Sequence, residues 1–247
     1  MLPNPDLRKP LVFSPVKHRY SLAAQAIPSR SPIVLDIGGY RSRAAILAPS
    51  FDILDYTAAN IGTAWYGTEA IDVQCDGAEL PFPDQSYDFV ISVDTIEHIP
   101  KERRRAFVQE AARVARLRTI IVAPFLLAEP SDEADFLATS ADLGVAPMPS
   151  LQEHQEFGLP TLGDLESFCN GLTWSYTFHS PRRLYWSFQT AMLVNTAVLG
   201  ESAEFVNRKL YDALERALEN SDMPLTRAED AYRVVLVIDA LHSTSRA

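Results

Sequence analysis

From Ser31 onward, short apolar runs alternate with stretches of helical periodicity. The runs at Ile33–Ile37, Phe51–Asp55, Ile71–Cys75, Phe89–Val93 and Thr119–Ala123 are strand-like. Between them Lys101–Ala115 is the clearest helix, with Phe107, Ala111 and Val114 on one face. Further on, the pattern predicts a helix over Leu162–Asn170, a strand over Thr173–Phe178 and helices over Tyr185–Leu199 and Glu201–Glu219. The last of these would bury Val206, Leu210, Ala213, Leu214 and Ala217, and Val234–Asp239 would close the sheet as a late, central strand. Strands alternating with helices predict an α/β protein whose mainly parallel sheet is covered on both faces.

Two segments break this rhythm. Residues 1–30 carry Pro3, Pro5, Pro10, Pro15 and Pro28 among basic side chains, which predicts an irregular arm. Residues 126–160 carry Glu129, Asp132, Glu133, Asp135 and Asp142 with no lysine or arginine, and prolines punctuate them, the pattern of a lid or substrate-binding insertion. The organisation expected is therefore an arm (1–30) and one domain (31–247), with an acidic insertion at 126–160 and a late helical insertion at 181–220.

Composition narrows the partners. The chain has 247 residues, 47% of them hydrophobic and 22% charged, enough for a sizeable core. A formal charge of −10 disfavours nucleic acid and anionic membranes unless a local basic patch offsets it. Two cysteines make no disulfide framework, no leader pattern opens the chain, and Leu184–Leu199 is too short and too polar to span a bilayer. A cytoplasmic protein acting on a small molecule is the expectation; nothing in the sequence speaks to its oligomeric state.

The chemistry begins at Val34-Leu35-Asp36-Ile37-Gly38-Gly39-Tyr40-Arg41-Ser42, an apolar strand ending in Asp-x-Gly-Gly. In an open parallel sheet this turn meets the ligand, and a carboxylate here suits an ammonium better than a diphosphate. The stretch resembles motif I of the class I S-adenosylmethionine (SAM) methyltransferases, and three further segments follow in the matching order: Asp55, the run Gln74 to Phe82, and the run Ser86 to Ile99. The resemblance spans roughly residues 33–125 and implies a Rossmann-like fold with a seven-stranded sheet whose last strand is antiparallel. It also implies SAM as cofactor. Asp36, Gly38, Gly39, Asp55, Asp76, Gly77, Ala78 and Val93 would line its site, Asp55 at the end of the second strand on the ribose hydroxyls and Asp76 on the adenine amino group. Taken singly, Asp36, Asp55 and Asp76 also suit turn capping; the joint pattern favours the cofactor. Tyr40 and Ser42 stand where the family's second and third glycines fall.

Two clusters bear on catalysis. Asp94, Glu97 and His98 resemble the Glu-x-x-Glu-His of metal-using O-methyltransferases and suit a divalent Mg or Mn ion; the alternative is a helix-capping acid and a substrate-facing or packed imidazole, and His98 is a catalytic candidate beside His154. His154, in Glu-His-x-x-x-Gly-Leu-Pro, is a candidate general base oriented by Glu153 or Glu156, or a further ligand beside His98, or a loop cap. The basic side chains at Lys101, Arg103, Arg104, Arg105, Arg113, Arg116 and Arg118 form either a grip for an anion or a solvated face. Methyl transfer to a hydroxyl of a glycan, nucleotide-sugar or natural product is the function expected. The alternatives are a catalytically silent SAM-binding subunit, a metal-assisted RNA 2'-O-methyltransferase and, least favoured, a nicotinamide dehydrogenase.

Overall fold

The computed structural model describes residues 15–61, 70–127, 131–146, 148–220 and 224–240. Seven strands, β1 (Ile33–Ile37), β2 (Asp55–Asn60), β3 (Val73–Gln74), β4 (Tyr87–Val93), β5 (Ala115–Pro124), β6 (Thr173–Pro181) and β7 (Ala231–Asp239), form one sheet in the order β3-β2-β1-β4-β5-β7-β6. The first five run parallel, and β7 inserts antiparallel between β5 and β6, pairing Ile121 with Leu236 and Tyr176 with Leu236. The helices are α1 (Val16–Gln25), α2 (Ala44–Leu47), α3 (Lys101–Val114), α4 (Asp132–Asp142), α5 (Pro149–Phe157), α6 (Leu162–Phe168), α7 (Arg182–Leu199) and α8 (Ala203–Glu219).

Strand alternation divides the core in two. Leu35, Val90, Ile121 and Leu236 face α3 and α6, packing on Phe107, Val108, Ala111 and Leu165. Their neighbours Val34, Phe89, Ile91, Ile120 and Val235 face the other way, onto Leu22, Ala23 and Ala24 of α1 and Leu47 of α2. Because both faces are covered, the strands read as continuous apolar runs rather than alternating ones.

Three expectations change. The arm is not irregular where the structure describes it: α1 is a packed helix, and its free amides at Lys17 and His18 donate to Glu215 of α8 at 3.2 and 3.0 Å. That cap comes from a distant helix, so no local signal announces it. Residues 1–14 lie outside the described residues. The second strand starts at Asp55 instead of ending there; Phe51 and Leu54 are loop residues packed on the core, and the polar-looking run from Asp55 to Asn60 is the strand. In α8 the buried side runs through Ala203, Asn207, Leu214, Glu215 and Leu218, leaving Phe205 72% and Val206 38% exposed. Asn207 turns inward because its amide satisfies the Met192 carbonyl and the Thr196 hydroxyl of α7, at 2.9 and 3.1 Å.

The basic residues around α3 divide: Lys101, Arg103, Arg105 and Arg116 are exposed, as a solvated face has them, whereas Arg104 is not. Arg104 is buried and donates to the carbonyls of Ile99, Glu97, Phe157 and Gly158, tying the turn before α3 to the end of α5. Arg103, Arg113, Arg116 and Arg118 pair with Asp76, Glu110 and Asp84, Asp88 and Asp239 respectively. The acidic insertion is ordered into α4 and α5, with Ser131 capping α4 through the Ala134 amide.

Candidate active site

A cavity of about 510 Å³ opens at the carboxyl ends of β1 to β4, the place where open α/β sheets bind ligands. Gly38 forms its first corner. Its φ is +90°, its amide donates to the Ala59 carbonyl at 2.8 Å, and a Cβ there would lie 2.2 Å from the Thr95 hydroxyl. A Cβ on Gly39 would strike the Asp36 carboxylate. That carboxylate sits behind the loop rather than on the cavity wall: Asp36 is 0% exposed and accepts hydrogen bonds from the Tyr20 hydroxyl at 2.8 Å and the Tyr56 hydroxyl at 2.5 Å. Burial pushes its carboxyl up to about 6 against the pull of those bonds. Facing two tyrosines from behind the loop, Asp36 does not present an ion to a ligand's ammonium.

Asp55 also lies elsewhere. It is exposed at the start of β2, five residues and therefore roughly 17 Å from the ligand end of the strand. Asn60 ends β2 instead, buried on the cavity wall, with its amide donating to the Gly38 carbonyl at 2.8 Å. Asp76 and Gly77 do line the cavity, and Asp76 accepts from the Ala78 amide at 2.8 Å and from Arg103 at 2.5 Å. Ala78 and Val93 pack into the two core clusters and do not line the cavity.

Beyond β4 the acids and histidines of the sequence separate into two groups. Asp94, at φ +47°, places its carboxylate between two arginines, accepting from Arg19 of α1 and from Arg233 of β7 at 2.8 and 3.2 Å. Burial alone would raise its carboxyl, but the two guanidinium groups outweigh burial and hold it well below the usual range. Asp94 is thus an arginine partner, and the structure removes it from the expected metal set.

Glu97, His98 and His154 form the second group, their ligand atoms all within 4.8 Å of one another. His98 Nδ1 donates to Glu153 at 2.9 Å, and His154 Nδ1 donates to Glu133 of α4 at 2.9 Å; Glu133 in turn accepts from the Tyr232 hydroxyl at 2.6 Å. With both Nδ1 atoms so engaged, the two Nε2 atoms face each other at 3.4 Å. Glu97 beside them is 0% exposed, neither of its oxygens has a hydrogen-bond partner, and burial together with Asp94 pushes its carboxyl up to about 8. The two imidazoles shift in opposite directions. Burial and the neighbouring His154 lower His98 to about 3, whereas in His154 the bond and charge of Glu133 outweigh burial and raise it. The orienting acids differ from expectation: Glu153 holds His98, and Glu133 holds His154.

The fold and the cavity can now be set beside known proteins. Residues 38–123 match a family profile described as a methyltransferase domain. Over those residues the chain carries a methyltransferase domain. No curated protein matches the sequence. Among solved structures the chain resembles phosphoethanolamine N-methyltransferase 2 of Haemonchus contortus in complex with S-adenosyl-L-methionine, with TM-score 0.54 and 15% identity over 91% of this chain and 52% of that one. It also resembles geranyl diphosphate C-methyltransferase from Streptomyces coelicolor A3(2) in complex with Mg²⁺, geranyl diphosphate and S-adenosyl-L-homocysteine, at 0.52 and 12% over 90% and 81%. A third likeness is the (4+2)-cyclase SpnF, at 0.51 and 12% over 90% and 79%. Likenesses at these identities show the fold, and their differing reactions leave the acceptor to be argued from the cavity.

For this methyltransferase, sequence reading missed Arg19, Asn60, Glu133, Tyr232 and Arg233. Asn60 had a usable signal, the end of the parallel strand after motif I. Arg19 and Arg233 had none, since each reaches the site only through tertiary packing. Among the described residues no helix is long and apolar enough to cross a membrane.

Proposed function

We propose that the protein transfers the SAM methyl group to an oxygen of a small-molecule acceptor, a hydroxyl of a glycan, nucleotide-sugar or natural product, beside a divalent cation held by Glu97, His98 and His154. The observation that carries this reading is the convergence of two carboxylate-backed imidazoles, Nε2 to Nε2 at 3.4 Å, on a buried glutamate with no hydrogen-bond partner. Two bonds of ~2.1 Å to one ion at a tetrahedral angle separate their nitrogens by about 3.4 Å, so the residues present fit the ion. Carboxylates on both Nδ1 atoms are what a metal-ligating histidine commonly has behind it. Two nitrogens and one oxygen suit Mn or Zn better than Mg. Glu97, His98 and His154 would hold such a cation, which would supply Lewis acidity to lower the pKa of an acceptor hydroxyl.

The chain's own residues supply alignment. Gly38, Tyr40, Asn60, Asp76 and Gly77 would hold the cofactor, with Asn60 standing for the ribose-binding acid and Asp76 on the adenine side. Asp36, braced by Tyr20 and Tyr56, fixes the Gly38–Gly39 loop from behind. Met148, Leu151 and Phe157 of the insertion line the cavity with apolar surface and would limit water at the reacting atoms.

A second reading uses the same atoms without an ion: His154, its Nδ1 held by Glu133, takes the acceptor proton itself. The internal pairing of the α3 arginines gives RNA binding no support. Titration of the purified protein with Mn²⁺ and Zn²⁺, repeated for His98→Ala and His154→Ala, tests the first reading. One ion per chain, lost in both variants, supports it; no binding to the wild type overturns it in favour of His154 as base. SAM binding without S-adenosylhomocysteine formation across a hydroxyl-acceptor panel would instead indicate a silent subunit.

A further inference from the structure

One end of the cavity carries charge that neither the cofactor residues nor the cation ligands use. Arg233 is 1% exposed and lies on the cavity wall, its guanidinium 4.6 Å from the Tyr232 ring centroid and 5.0 Å from that of Tyr185. Those two rings stack on each other at 4.4 Å and line the same wall. Arg19 enters from α1, its Nε anchored on the Pro15 carbonyl at 2.7 Å. Both guanidinium groups share one carboxylate, Asp94, among the described residues. Arg233 Nη1 is buried and makes no hydrogen bond. His18, nearby, offers no negative charge, and burial together with Arg233 holds it neutral.

Two guanidinium groups share one carboxylate in a buried wall, Glu97 beside them is pushed toward its neutral form, and Arg233 Nη1 lacks a hydrogen bond, so the wall favours a further anion. A guanidinium fork matches a carboxylate in shape and charge better than any other common anion of its size apart from phosphate. We propose that Arg233 and Arg19 form a carboxylate-binding subsite, with Tyr185 and Tyr232 as its apolar wall. Two molecules of this reaction offer the group: the amino-acid end of the cofactor, and an acceptor that itself bears a carboxylate. The subsite rests on the methyltransferase assignment and is independent of the cation.

Calorimetric titrations separate the sources. S-adenosylhomocysteine and 5'-methylthioadenosine, which lacks the amino-acid end, are titrated into wild type, Arg233→Lys and Arg19→Lys; benzoate and inorganic phosphate are titrated into the protein loaded with S-adenosylhomocysteine. Lysine keeps Asp94 neutralised, so the variants retain the buried charge balance while losing the fork. A tenfold or greater loss of S-adenosylhomocysteine affinity in Arg233→Lys, with methylthioadenosine unchanged, places the cofactor's carboxylate in the subsite. Unchanged S-adenosylhomocysteine affinity, with benzoate binding to the loaded wild type and at least tenfold weaker in the variant, places the acceptor's carboxylate there. Unchanged affinities throughout, or phosphate bound more tightly than benzoate, overturn the proposal. Asp94→Asn supplies a check of opposite sign: it frees two guanidinium groups and should tighten the carboxylate ligand severalfold, and a folded Asp94→Asn protein with unchanged or weaker binding also overturns it.

Discussion

Replacing Asp36 with asparagine distinguishes a buried prop of the motif I loop from an acid held ready as an ion. The side chain is fully buried, takes two tyrosine hydroxyl hydrogen bonds, and has its carboxyl pushed from 3.8 to about 6, chiefly by burial. Between about pH 4 and 6 the folded chain therefore keeps a proton on Asp36 that the unfolded chain has released. Stability must then fall as pH rises through that window and level off above it. A gap of about two pH units at 1.36 kcal/mol each is worth about 3 kcal/mol. Asparagine has nearly the same shape and still accepts from Tyr20 and Tyr56, but it does not ionise. The unfolding free energy of wild type minus that of Asp36→Asn, from urea titrations followed by tryptophan fluorescence, should drop by about 3 kcal/mol from pH 4 to pH 7 and stay flat beyond. A flat difference across the whole range would refute the reasoning. A difference that rises with pH would show instead that the ion is the stabilised form.

Four further outcomes are expected. Arg104→Met leaves four carbonyls without their donor and should cost on the order of 3 kcal/mol in urea unfolding, with a normal melt refuting the role of Arg104 as the tie to α5. Glu133→Gln and Glu153→Gln should each weaken Mn²⁺ or Zn²⁺ affinity roughly 10–100-fold in calorimetry; equal affinities would mean that the histidines need no orienting acid. Gly38→Ala, with its Cβ 2.2 Å from Thr95 and its backbone in the left-handed region, should abolish S-adenosylhomocysteine binding, and wild-type affinity would show that the loop yields freely. Amide exchange in residues 132–142 and 149–157 should slow when Mn²⁺ or Zn²⁺ is added, and an unchanged exchange pattern despite ion binding would disconnect the ion from the insertion.

The layered sheet was legible because burial on both faces leaves a plain mark, the uninterrupted apolar runs at Ile33–Ile37 and Phe89–Val93. Strand β2 was misplaced because its small residues Ala58 and Ala59 fill the sheet centre without looking apolar, while Phe51 and Leu54 look like a strand and pack as loop. The cluster at Glu97, His98 and His154 was half legible. The turn after β4 carries two of its members in sequence, and the third arrives on α5 from more than fifty residues away. Asp94 resembled a ligand by spacing alone; its true partners, Arg19 and Arg233, come from the two ends of the chain, and no local pattern announces a contact of that range. Helix α1 was invisible for a related reason: its cap is Glu215, and its value lies in delivering Tyr20 to Asp36 and Arg19 to Asp94.

The site is assembled from parts that would be costly to keep apart from one another. Glu97 is buried with neither oxygen bonded, and His98 faces His154 across 3.4 Å, an arrangement that tolerates only one proton between the two rings. Docking α4 and α5 therefore brings an imidazole toward another imidazole, a move that electrostatics opposes until a shared proton or an ion mediates it. What holds the insertion in place meanwhile is neutral to that conflict: Arg104 on the α5 carbonyls, Arg182 paired with Asp132 at the start of α4, and Tyr232 on Glu133. By linkage, an ion that binds only the docked arrangement stabilises it by RT ln(1 + [ion]/Kd), about 2.7 kcal/mol at a hundredfold excess over Kd. An ion that bound only the docked arrangement would make closure of the cavity wall and completion of the ligand set one event, and would enclose an acceptor that also touched it.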